Sequence, residues 1–143
     1  MYKLLTILLF APCLLFGQVV QVGVNYSPFF SYTPNMKPLK QSFSPNVDVQ
    51  VGMDGFKVYA SLGNTIEVGV RSGNYGLFAG MGFKYNPFLE TTDNKIYFFE
   101  FGYEREVKKN LIVFVSTKHG VTLEKTTYFG CPLSLGINYK LTK

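Results

Sequence analysis

Three observations predict that this chain is all-β. Apolar and polar residues alternate with period two through most of the sequence after residue 18, the spacing that puts side chains on opposite faces of a strand. No segment after residue 17 carries apolar residues at i, i+3, i+4 and i+7 over three turns, and 14 glycines would interrupt any helix. The strand faces are also inverted relative to a water-soluble sheet. In YGLFAGMGFKY, Tyr75, Leu77, Ala79, Met81, Phe83 and Tyr85 share one face, and Gly76, Phe78, Gly80, Gly82 and Lys84 share the other. In the following YFFEFGYERE, Tyr97, Phe99, Phe101 and Tyr103 alternate with Phe98, Glu100, Gly102 and Glu104. The broad face is apolar and uncharged, and the cramped face is small and charged. Together these features predict an eight-stranded antiparallel up-and-down transmembrane β-barrel, apolar outside and polar within.

The chain opens with Lys3, an apolar run from Leu4 to Phe16, and Gly17. That reads as a secretory signal peptide cleaved after Gly17, so residues 1–17 are the signal and 18–143 the barrel domain. Pro12 interrupts the run, which falls short of the roughly 20 apolar residues needed to cross a bilayer. A retained anchor and a lipid-modified Cys13 are the alternatives at this end. With the signal removed only Cys131 remains, so no intrachain disulfide is expected.

Eight strand candidates follow. Val19–Tyr26 and Asn46–Met53 come first, and Asp54-Gly55, whose two positions both favour positive φ, turns the second into Phe56–Leu62. Gly63-Asn64 leads to Thr65–Arg71, and Ser72–Asn74 leads into the Tyr75–Tyr85 and Tyr97–Glu106 pair. Lys108-Lys109-Asn110 precedes Leu111–Thr117, whose phase is ambiguous because LIVFV is apolar on both faces. The last candidate is Leu133–Leu141. Connections Ser27–Pro45, Asn86–Lys95 and Lys118–Pro132 are long, and the others are short. Near-alternation of long and short connections is what barrels with short inner turns and longer external loops show.

The charged face collects Asp48, Lys57, Glu67, Arg71, Lys84, Glu100, Glu104 and Lys140, four acids and four bases. An eight-stranded barrel has an interior that side chains can fill, so these charges are expected to pair in a plugged lumen. Tyrosines mark the strand ends: Tyr26, Tyr85 and Tyr97 at the loop side, Tyr75, Tyr103 and Tyr139 at the turn side. Tyr75 and Tyr85 are about 33 Å apart along an extended strand, roughly 25 Å vertically at a barrel's tilt, the height of an apolar band between aromatic girdles. The loop Ser27–Pro45 offers Phe29, Phe30, Tyr32, Lys37 and Lys40 as contacts for an external partner or for lipopolysaccharide phosphate, or else as a cap over the barrel mouth.

The net charge of +5 is mild and scattered, which argues against nucleic-acid binding. One histidine, His119, stands near Ser116 and Glu124 without the spacing of a hydrolytic site, so no catalytic residue is assigned. No metal or cofactor is expected from one His, the one Cys left after cleavage and no acidic cluster.

The alternation and the loop lengths resemble the small eight-stranded outer-membrane barrels of the OmpA/OmpX kind. Leu133–Leu141 resembles their terminal strand, although Thr142-Lys143 follow where the family ends on an aromatic. The resemblance implies residence in a Gram-negative outer membrane among its lipids, delivery by the barrel-insertion machinery, and no shared catalytic residues. The function expected is structural or surface-interacting through external loops. A lipid- or lipid A-modifying enzyme, a narrow channel and a secreted soluble β-barrel are the alternatives.

Overall fold

The computed structural model describes residues 19–32, 37–38, 44–74, 76–87, 94–122 and 128–141. The expected signal peptide therefore lies outside the described residues, as do Tyr75, Lys40, Glu124 and the side chain of Lys37. In chain order the strands are β1 (Val19–Tyr26), β2 (Phe30–Ser31), β3 (Lys37–Pro38), β4 (Asn46–Met53), β5 (Phe56–Leu62), β6 (Ile66–Asn74), β7 (Leu77–Tyr85), β8 (Lys95–Lys108), β9 (Leu111–Val121) and β10 (Tyr128–Lys140). No α-helix occurs among the described residues.

β1 and β4 to β10 pair antiparallel, each with its neighbours, and β1 pairs with β10 to close an eight-stranded barrel. The closing seam holds six residue pairs, from Gln21↔Lys140 to Tyr26↔Leu135. Above Tyr26 the chain leaves β1, and β2 takes its place against β10 through Phe129↔Ser31 and Gly130↔Phe30. β3 adds to β2 as a short hairpin.

Three sequence expectations are corrected. The connection expected over Lys118–Pro132 shrinks to residues 122–127, because Lys118, His119 and Gly120 pair with Cys131, Gly130 and Phe129. A bulge lies between Cys131 and Ser134, where β10 carries one more residue than β9. Pro132 sits in it, where the missing N–H costs no ladder bond. The bulge shifts the inward phase from odd to even numbers, so a period-two reading stops there. β8 likewise runs to Lys108 through an irregularity between Glu106 and Lys108. At Asp54-Gly55 only Gly55 takes positive φ (89°), and Asp54 does not.

The interior is mostly polar. Among the described residues, buried polar or charged side chains outnumber buried hydrophobic ones, 20 to 10. That inverts the usual composition of a water-soluble core. The large inward rings share one packing rule. Tyr59, Phe78, Phe98 and Phe114 each lie directly across a strand pair from a glycine: Gly69, Gly102, Gly82 and Gly136. A Cβ on any of these glycines would collide with the facing ring. Pairing a ring with a bare backbone fits four aromatics into a narrow lumen in which aromatics on both partners would not fit.

The exterior is apolar all round. Val24, Val47, Val58, Leu62, Met81, Phe99, Phe101, Val115, Leu135 and Ile137 are among the large exposed side chains, contributed by β1, β4, β5 and β7 to β10. Ile66 and Val68 continue the band on β6. Polar outward residues among those described include Thr117 and His119 on β9, with Ser72, Lys95, Arg105 and Lys108 near strand ends. Tyr97, Tyr103 and Tyr139 are exposed, and Tyr26 and Tyr85 half-buried.

Candidate functional site: the charged lumen

Alternation places Glu67, Arg71, Lys84 and Glu100 inward on β6, β7 and β8, and all four are buried. Arg71 and Glu100 form a two-pronged pair: Nε donates to Oε2 at 2.9 Å and Nη2 to Oε1 at 2.9 Å. Planar fork against planar carboxylate is the strongest ion-pair geometry available to side chains. Ser116 adds a hydroxyl donor to Glu100 at 2.5 Å. The Arg71 guanidinium also lies 4.3 Å from the Tyr59 ring centre, 4.5 Å from Phe114 and 4.9 Å from Phe78. Three π faces replace part of the hydration that burial removes.

Nearer the loop end, Glu67 receives two ammonium groups. Lys84 donates to its Oε2 at 3.3 Å, and Lys118 donates to its Oε1. Lys118 also stands 3.9 Å from Glu100, linking the two clusters. At the turn end Lys57 pairs with Glu104, which is partly exposed. A cleft of about 200 Å³ opens there, lined by Lys57, Arg71, Phe78 and Glu104 among others.

Asp48 is different. It is fully buried and makes no ion pair among the described residues. Three amides hold it instead: Gln50 at 2.7 Å, Asn138 at 3.1 Å and Asn25 at 3.3 Å. Asn138 reaches it across β1, because Gly23 between them has no side chain: Gly23 pairs with Asp48 on one side and Asn138 on the other. Lys140, the eighth expected lumen charge, is half-exposed at the turn end beside Gln21.

Lys118 is the lumen charge that the sequence reading missed. The expected strand stopped at Thr117, in a segment whose phase was unresolved. Extending it by three residues gives Ile112, Phe114, Ser116, Lys118 and Gly120 on one face, and the polar members identify that face as inward.

The loop residues divide. Phe29, read as an external contact or else as part of a cap over the mouth, is fully buried. Its ring lies 4.4 Å from the Lys84 ammonium and 5.9 Å edge-to-face from Phe98. Its apolar surface is withdrawn from solvent into the mouth of the barrel, where an ammonium and a ring await it. Phe30 and Tyr32 remain half-buried. His119 faces outward, with its ring stacked on Tyr32 at 6.2 Å and its Nε2 3.1 Å from the Thr117 hydroxyl. Ser116 faces inward, so the barrel wall separates the hydroxyl and the imidazole that stand close in sequence.

No family model, curated protein or solved structure matches this chain. Among the described residues no three His, Cys, Asp or Glu side chains gather as a metal-ligand set. In number the cations Lys57, Arg71, Lys84 and Lys118 match the acids Asp48, Glu67, Glu100 and Glu104, but among the described residues the ion pairs reach only the three glutamates and leave Asp48 to its amides.

Proposed function

We propose that this protein spans the outer membrane of a Gram-negative bacterium as a small side-chain-plugged barrel, with a structural or surface-interaction role through its loops. The observation that carries the reading is the uncharged apolar band running round the whole exterior of a barrel whose interior is polar. Lipid tails would solvate that band, while water would not. Closure supports the same reading, since a barrel leaves no unpaired strand edge within hydrocarbon.

The exposed tyrosines near the strand ends suit the two interfaces of a bilayer. Rings and ion pairs crowd the lumen, which favours a plug over a conducting pore. Separation of Ser116 from His119 by the wall gives a lipid-modifying enzyme less support than a non-catalytic role.

Heat-modifiability tests the reading. A sample in SDS should migrate differently before and after boiling, and the chain should require detergent or lipid to stay in solution. A freely soluble product with a single gel position would overturn it. Replacing His119 with Ala should leave the lipid A mass spectrum of the host unchanged, and planar bilayers should show little or no conductance.

A further inference from the structure

The Asp48 cage leaves an unusual residue of unsatisfied atoms. A carboxylate only accepts hydrogen bonds, so Asn25, Gln50 and Asn138 must each turn an amide nitrogen toward it. Their carbonyl oxygens are left over. Asn25 Oδ1, Gln50 Oε1 and Asn138 Oδ1 are buried without a hydrogen-bond partner in the chain, and so is Gln21 Oε1. Gln21 is the cross-strand partner of Gln50, which puts it in the same corner of the lumen. All five side chains are at most 2% exposed.

One carboxylate and four amide side chains with unpartnered carbonyl oxygens thus stand inward on β1, β4 and β10. This part of the lumen holds no Lys or Arg within ion-pairing distance of Asp48 among the described residues. Carboxylate and amide oxygens are hard donors, and they suit hard cations and not soft metals. A single negative charge among neutral dipoles matches a single positive charge.

We propose that this corner binds one hard monovalent cation, sodium or potassium, held by the amide carbonyls and neutralised by Asp48. Water could donate to the carbonyls but would leave the buried carboxylate without a counter-charge. A cation meets both needs. The site does not depend on the membrane reading, because it belongs to the closed barrel itself.

The test uses the full chain refolded in neutral detergent. Its thermal and urea midpoints are measured in NaCl, KCl and N-methylglucamine chloride at equal ionic strength. A ligand that binds only the folded state raises stability with its own concentration. The wild-type midpoint should therefore rise saturably with sodium or potassium and stay flat with the organic cation.

Asp48→Asn should abolish the difference between salts. If that variant fails to fold, Gln21→Leu decides, since it removes one carbonyl and leaves every donor to Asp48 in place. It should weaken the salt response several-fold. Equal midpoints in all three salts would overturn the proposal and would instead leave solvent or the Lys140 ammonium as the counter-charge. A response of the same size in wild type and both variants would also overturn it, marking a nonspecific ion effect.

Discussion

Replacing Glu100 with Leu removes the acceptor of three hydrogen bonds while nearly conserving volume. Two come from Arg71 at 2.9 Å and one from Ser116 at 2.5 Å. The Arg71 guanidinium would stay buried, stacked on rings but without a carboxylate. Hydrogen bonds to charged groups are worth roughly 1.5–3 kcal/mol each, and part of that is recovered when Glu100 no longer has to be desolvated. Removing one member of a buried pair costs about 3–5 kcal/mol, and we take about 4. Replacing both members by Arg71→Met and Glu100→Leu should cost much less than the sum of the single changes, because no stranded charge remains. The assay is urea unfolding of barrels folded into lipid vesicles, read by circular dichroism and by the unboiled gel band. At a slope of about 2 kcal/mol per M, the single change should lower the midpoint by about 2 M. A single-variant loss below about 1 kcal/mol, or a double variant as damaged as the two singles added, would refute the argument that an unpaired lumen charge is what costs.

Val58→Arg, on the exposed band, should cost about 2–4 kcal/mol in lipid vesicles if the site lies near the bilayer midplane, against under about 0.5 kcal/mol for an ordinary water-facing position. Urea midpoints in vesicles separate the two. Gly136→Ala drives a methyl group into the Phe114 ring and should cost about 1–3 kcal/mol, and Phe114→Leu in the same chain should recover part of that loss. Thermal midpoints of the three variants check it. Phe29→Ala empties a buried ring position at the barrel mouth, with an expected cost of about 3–5 kcal/mol. Amide hydrogen exchange at Phe30 and Ser31 should quicken in that variant if the ring pins β2 against β10.

Most of the barrel was readable because an apolar outside around a polar inside demands an uninterrupted rule. β1, β4 and β5 have the bounds that alternation predicts, since each is a clean run of period two between turn residues. β9 and β10 were shortened because their phase is obscured for different reasons. LIVFV puts apolar residues on both faces, so the inward row appears only when Ser116 and Lys118 are included. In β10 the bulge at Pro132 shifts the phase, and Phe129 and Cys131 end up inward on the opposite parity from Ser134 and Gly136. Seven of the eight expected lumen charges sit in the buried network or at its edge, with Lys140 at the rim. Their pairing was not readable, because partners such as Lys57 and Glu104 are three strands apart around the barrel and no sequence spacing links them. Whether Phe29 caps the mouth or faces a partner was likewise not readable, because only the open position between Lys84 and Phe98 draws its ring inward.

The seam between first and last barrel strands is the shortest ladder but one constraint follows from how it ends. β8 and β9 share eleven residue pairs, whereas β1 leaves β10 after six. Without Phe30 and Ser31, the upper backbone of β10 would present bare amide and carbonyl groups, an adhesive template for any strand of another chain. The first loop thus acts as a stopper that keeps each molecule from recruiting its neighbours edge to edge. Shortening it should leave the cylinder closed below and make it self-associate above, so any freedom to vary in length belongs to the other loops.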